Sequence, residues 1–139
     1  MRIHQETLSI ESRPRRLADV TREVAAVVAR SGIATGLCTA FIRHTSAGLV
    51  IQENADPAVL RDLARWLEAL APESPHYEHD EEGPDDMPAH LRSLITRTSE
   101  TIPISGGKLA LGTWQAVYLY EHRARSRRRE VVVTVVGVG

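Results

Sequence analysis

Histidine and aspartate carry most of the chemistry that this sequence can offer. Four of its six histidines, His44, His79, His90 and His122, sit in polar, turn-rich stretches. The densest stretch is His79-Asp80-Glu81-Glu82-Gly83-Pro84-Asp85-Asp86-Met87-Pro88-Ala89-His90, with two histidines and five carboxylates in twelve residues. Imidazole changes charge near neutral pH, and its neutral nitrogen ligates metals. Asp86 and His90 are four apart, so they share a face if a helix begins near Asp86. Two imidazoles with a carboxylate suit zinc. An aspartate equally suits magnesium bridging to a pyrophosphate. No HExxH or CxxC spacing accompanies them.

His44 ends an alternating stretch whose face is Cys38, Ala40, Ile42 and His44. An imidazole at the rim of that apolar face is partly desolvated, which suits a ligand or an acid–base group. His44, His79, Asp86 and His90 are therefore the candidate catalytic residues. The candidate metal set is His44, His79 and His90, with Mg or Zn as the divalent cation. Arg43 and Arg123 carry guanidinium groups that match phosphate geometry. Gln115 and Glu121 lie at the two ends of an apolar row and either pair internally or face the site. Each of these has a plainer role available: Asp85 or Asp86 can cap a helix, His44 can bond a backbone carbonyl, and Glu81 and Glu82 can simply face solvent. Cys38 reads as a small core residue. The basic run Arg123-Ala124-Arg125-Ser126-Arg127-Arg128-Arg129 reads as a solvated hairpin tip with a possible pull on phosphate. It lacks interleaved aromatics, which argues against nucleic acid.

These residues need elements to position them. Residues 1–11 alternate and predict a strand. A helix is expected over 15–30, opened by Pro14, with Leu17, Val20, Val24, Val27 and Val28 at helical spacing and Gly32 as its stop. Residues 35–44 and 49–53 predict two strands joined as a hairpin through Thr45-Ser46-Ala47-Gly48. Asp56 caps a second helix with Pro57 at its first position and Leu60, Leu63, Leu67 and Leu70 as the buried stripe. A long polar loop over 71–86 follows, of a kind that is usually functional or disordered. Pro88 starts a third helix running to about 97. Strands are expected over 101–105, 108–111, 114–123 and 129–136, with Gly106-Gly107 as a hairpin turn. Hairpins without βαβ alternation predict an α+β fold, an antiparallel β-sandwich-like sheet with about three flanking helices.

At 139 residues the chain reads as a single domain, 1–139, long enough to bury a core. A net charge of -1 gives it no general pull toward nucleic acid or membrane. No apolar stretch reaches membrane-spanning length or resembles a signal peptide. A single cysteine excludes an internal disulfide framework and fits a reducing compartment, so a cytoplasmic protein is expected.

Jointly, His44-Thr45-Ser46-Ala47, Gln52-Glu53-Asn54-Ala55-Asp56-Pro57, His79 with Asp85-Asp86-Met87-Pro88-Ala89-His90-Leu91, Leu111-Gly112-Thr113-Trp114-Gln115 and Glu121-His122-Arg123 resemble the YjbQ-like family, also called the secondary thiamine-phosphate synthase family. The resemblance covers nearly the whole chain. It implies a homotrimer with a site near subunit boundaries, built on His44, Asn54, Asp56, His79, Asp86, His90 and Gln115, with Glu121 beside them. Substrate contacts are then expected from Arg43, Asn54, Asp56, Gln115, Glu121 and Arg123. The implied activity is weak thiamine phosphate synthesis, in which a pyrimidine methyl pyrophosphate joins a thiazole phosphate and pyrophosphate leaves. Two other functions fit the same residues: a metal-dependent hydrolase with a histidine zinc site, and a non-catalytic module binding a metal or small ligand. The last strand, 130–138, is nearly continuous valine, and burying its edge is a further reason to expect closed association.

Overall fold

In a computed structural model describing residues 1–139, eight strands and three helices form an α+β fold with two antiparallel sheets. The elements are β1 (Arg2–Glu11), β2 (Leu17–Asp19), α1 (Thr21–Ser31), β3 (Thr35–Ile42), β4 (Ala47–Glu53), α2 (Pro57–Leu70), α3 (Asp86–Ile95), β5 (Ser99–Ser105), β6 (Lys108–Leu109), β7 (Gln115–Glu121) and β8 (Arg128–Val138). The larger sheet runs β1-β8-β3-β5-β6 and the smaller β2-β7-β4. Between them lies a core of 17 buried residues. Val131, Val133 and Val135 of β8 enter it alternately, beside Cys38, Ala40 and Ile42 of β3, and Val117 and Leu119 of β7 face them from the other sheet. Val24, Val27 and Val28 close it from α1, at the spacing of one helix face.

Several sequence expectations are corrected here. The first helix starts at Thr21, not near residue 15. Leu17 and Ala18 instead pair with Tyr120 and Leu119 as a short strand, and the Asp19 carboxylate accepts the Thr21 N–H. The third helix begins at Asp86, and Pro88 sits inside its first turn. The expected hairpin of β3 and β4 does not form. β3 pairs with β8 and β5, while β4 pairs with β7 in the other sheet. The four residues between them, Arg43 to Ser46, are a corner where the chain changes sheet. The basic run after β7 is likewise a crossover between sheets, not a hairpin tip. β8 is not an edge, because β1 and β3 pair with it on both sides. Gly106 and Gly107, both with positive φ, do turn β5 into β6 as expected.

A buried ion pair locks the corner. Glu121 is fully buried, and its carboxylate accepts from Arg129 at 2.6 and 2.8 Å, from Ser12 Oγ and from the Arg123 N–H. Arg129 also donates to the Ser46 carbonyl and Oγ. Burial pushes Glu121 up, but the hydrogen bonds from Arg129 and Ser12 outweigh it and hold the carboxyl below its ordinary value. Arg129→Met would strand a buried carboxylate. A cost of about 3–5 kcal/mol is expected, because an unpaired buried charge loses its solvation without compensation. Chemical denaturation of Arg129→Met and of Arg129→Met with Glu121→Leu checks this: the double variant should recover much of the loss. Additive losses would show that the two residues act separately.

Candidate functional site

The corner and the first turn of α3 meet at one place. Asp86, buried at that first turn, carries the site. Its Oδ1 lies 2.9 Å from Arg123 Nη1, and its Oδ2 is shared by His79 Nε2 at 2.6 Å and His90 Nε2 at 3.3 Å. Asp86 and His90 share a face of α3 through their four-residue spacing, as expected. His79 comes from the loop between α2 and α3. Arg123 pins that loop by donating to the Glu82 carbonyl and to Asp85. The Arg123 hydrogen bond takes Asp85 down to about 2. Burial pushes Asp86 up, but the His79 hydrogen bond and the Arg123 charge together bring it below its ordinary value. Asp86 is therefore ionised throughout the neutral range.

The histidine orientations follow from their second nitrogens. His90 Nδ1 lies 2.8 Å from the Thr45 carbonyl, which can only accept, so Nδ1 carries the proton. Nε2 of the same ring is thereby aimed at Asp86 Oδ2. The donor atoms of His79, Asp86 and His90 lie within 4.8 Å of one another. This set is able to hold a divalent cation, and a ligating imidazole whose other nitrogen donates to a carbonyl is the usual outer-shell arrangement. His44 does not join it. Its Nε2 accepts the Glu130 N–H at 2.8 Å, so its own orientation is set across the corner by β8. Burial, aided by the Arg129 charge, pushes His44 down and favours the neutral ring. The structure thus groups His79 and His90 with Asp86 and leaves His44 apart from them.

His44 does share a cleft with His90. The cleft measures about 480 Å³ and is lined by Phe41, Arg43, His44, His90, Leu94 and Thr98 among others. Arg43 is exposed at its rim, paired loosely with Glu130 at 3.4 Å. Within one chain the remaining expected residues lie elsewhere. Asp56 caps α2 through the Ala58 N–H, and the Asn54 side chain donates to the Thr113 and Gln115 carbonyls. Gln115 Oε1 accepts the Gly112 N–H. Glu53 pairs with Gln115 at one end of the β4–β7 ladder and Ala47 with Glu121 at the other. Six residues of strand separate these ends by roughly 20 Å. Glu121 is sealed in its ion pair, and Arg123 faces Asp85 and Asp86 rather than solvent.

His122 is also corrected. It is fully buried, not in a polar turn. Thr96 Oγ1 donates to the Arg92 carbonyl, so His122 Nε2 donates to Thr96, 3.0 Å away. Gly48 permits this approach, since a Cβ there would lie 2.0 Å from Thr96 Oγ1. Sequence reasoning missed Arg129 and Asp85. Arg129 continues the inward alternation of Val131, Val133 and Val135, which was the available signal.

A family model described as UPF0047 protein YjbQ-like matches residues 6–138. A UPF0047 protein of Synechocystis is 56% identical over 98% of this chain and 93% of its own length. The UPF0047 protein YjbQ of Salmonella typhimurium is 38% identical over 96% of this chain and 98% of its own. A crystal structure of a YbjQ-like protein of unknown function from Sulfolobus solfataricus superposes with a TM-score of 0.88, at 26% identity and 98% coverage of both chains. A conserved hypothetical protein from Thermus thermophilus gives 0.85 at 37% identity, covering 94% of this chain and 99% of that one.

His122 supplies a test of the buried wall behind the corner. Burial, with the Arg92 charge beside it, takes the ring down to about 3. An unfolded chain takes up that proton near pH 6.5. Between the two values the unfolded state binds one more proton, so stability rises with pH by up to about 1.4 kcal/mol per unit. Urea unfolding at pH 6 and pH 4 should show wild type losing about 2–2.5 kcal/mol more than His122→Gln over that interval. Equal losses would place the titrating group elsewhere.

The chain belongs to the UPF0047 YjbQ-like family.

Proposed function

We propose that this UPF0047 protein is a divalent-cation-dependent enzyme acting on a small phosphorylated substrate. One observation carries the reading: a nitrogen of His79, a nitrogen of His90 and a carboxylate oxygen of Asp86 lie within 4.8 Å of one another, with His90 turned toward the group by the Thr45 carbonyl. Two imidazole nitrogens converging on a carboxylate are a ligand set that a divalent cation fits. His79 is half-exposed and the 480 Å³ cleft runs past His90, so the centre is open on one side, as catalytic sites are. Two imidazole nitrogens and one carboxylate suit zinc ahead of magnesium, which prefers oxygen ligands. A bound cation would supply Lewis-acid charge opposite a phosphate oxygen.

The chain's own residues do the rest. Arg123 keeps Asp86 ionised, and the Thr45 carbonyl keeps His90 Nδ1 protonated. His44, with Nε2 engaged by Glu130, carries its proton on Nδ1 and donates from it to a substrate oxygen. Arg43 can leave Glu130 for a phosphate, since an exposed pair at 3.4 Å holds it weakly. The family's ascribed condensation, with pyrophosphate departing from a pyrimidine methyl carbon, is a reaction these groups suit. Untagged protein should bind Zn²⁺ by calorimetry, with His90→Ala weakening it by about a hundredfold, or 2.7 kcal/mol. It should also form thiamine phosphate from the two precursors. No cation bound by wild type, or wild type and His90→Ala equally inactive on a panel of pyrophosphates, would remove the proposal.

Assembly is part of the same reading. Ile3, Leu37 and Phe41 lie exposed on the outer face of the larger sheet, in rows with Val136 and Val132. An uncovered apolar sheet face of this kind favours association. A closed homotrimer would cover it and can bring Asn54, Asp56 and Gln115 of one chain toward the cleft of another. Light scattering should give about three times the 15.4 kDa chain mass, and Phe41→Glu should dissociate it. A stable wild-type monomer that keeps full activity would exclude a shared site.

A further inference from the structure

A second cleft lies away from the histidine cluster, between the turn before β2 and the first half of α2, and measures about 440 Å³. Arg15, Arg16 and Arg61 line it, and no carboxylate does. Arg16 and Arg61 are exposed, and neither side chain has a hydrogen bond or ion-pair partner. Arg15 gives one terminal nitrogen to Glu73, outside the cleft, while its buried Nε has no partner at all. Arg15 also holds φ +51, a left-handed conformation that a side chain disfavours. Both arginine backbones are fixed against the strand behind them: the Arg15 N–H donates to the Arg123 carbonyl and the Arg16 carbonyl accepts from Glu121. Two guanidiniums without a carboxylate partner, those of Arg16 and Arg61, thus line one cleft beside the paired Arg15.

The floor is apolar. Leu17, Leu60 and Ala64 form it, and Leu17 also lines an adjoining cavity of about 170 Å³ with Leu63, Trp66 and Tyr120. α2 turns its leucine stripe toward this space but buries only Leu67 of it. A cationic mouth opening onto an apolar trough matches one ligand chemistry: an anionic head on an apolar tail. We infer that the groove between β2 and α2 is a binding site for a small free amphiphilic anion, an alkyl phosphate or carboxylate, with its head at Arg16 and Arg61 and its tail along Leu17 toward Trp66. Its volume is that of a small-molecule site.

The probe is octyl phosphate, read by Trp66 fluorescence in the full chain carrying Trp114→Phe, which leaves Trp66 as the sole tryptophan. A saturable change is expected, with Arg16→Ala/Arg61→Ala weakening it by about tenfold or more and octanol or inorganic phosphate binding about tenfold more weakly than octyl phosphate. Both arginines are exposed and unpartnered, so the variant should fold, which its unchanged melting temperature verifies. His90→Ala should leave the binding intact, which separates this site from the proposed metal centre. Octanol binding as tightly, indifference to Arg16→Ala/Arg61→Ala, loss in His90→Ala, or binding only to phosphatidylglycerol vesicles would each overturn the inference. A change in particle mass in Arg16→Ala/Arg61→Ala would do the same, because the cleft would then be a subunit contact.

Discussion

The Glu121–Arg129 pair is the constraint on which this structure turns. A carboxylate and a guanidinium, both removed from water, come from the last position of one sheet's central strand and the second position of a strand in the other. Neither can leave without stranding its partner. Because Arg129 also holds both Ser46 oxygens, the pair fixes the corner at which β3 passes from the larger sheet to the smaller. That corner presents the Thr45 carbonyl to His90 and His44 to Glu130. The register of two sheets and the orientation of two histidines therefore depend on one buried interaction.

A second chain of charge runs outward from it. Arg123, two residues beyond Glu121, neutralises Asp85 and one oxygen of Asp86, and leaves the other oxygen to His79 and His90. The polar groups become more exposed along this path, from sealed Glu121 through Arg123 to half-exposed His79. Rigid, desolvated charges stand behind accessible ones, the arrangement that holds a reactive group in one orientation while a ligand can still reach it. The second cleft is tied to the same strand through the backbones of Arg15 and Arg16. The two larger clefts described above are thus both linked, through the corner and through these backbones, to the β7 end that Glu121 anchors.

Local chemistry was legible where it depends on neighbours in sequence. The Asp56 cap, the Gly106-Gly107 turn, the valine face of α1 and the shared face of Asp86 and His90 all follow from short-range rules: φ preferences, helical spacing and capping donors. The α+β class followed too, because strand-type alternation without βαβ spacing leaves few alternatives. The alternation also held the signal for Arg129 and Glu121, since each lies in phase with buried valines and leucines. A charge in such a row reads as solvated until its opposite charge is known to face it.

That opposite charge belongs to another sheet, and this is what only the tertiary structure decided. Sequence proximity suggested that β3 and β4 form a hairpin and that the basic run tips another. Both connections instead cross between sheets, so that the apolar faces of β3 and β8 in one sheet and of β4 and β7 in the other line a shared core. Crossing placed His44 against Glu130, kept it apart from the His79–Asp86–His90 group and brought Arg123 to Asp86. It also set Asn54 and Gln115 at the far end of their ladder. Residue types and spacing by themselves determined that an ionised aspartate and two histidines could meet on and beside α3. Which other groups surround them was decided by the pairing of strands distant in sequence, where burying a shared core outweighs local preference.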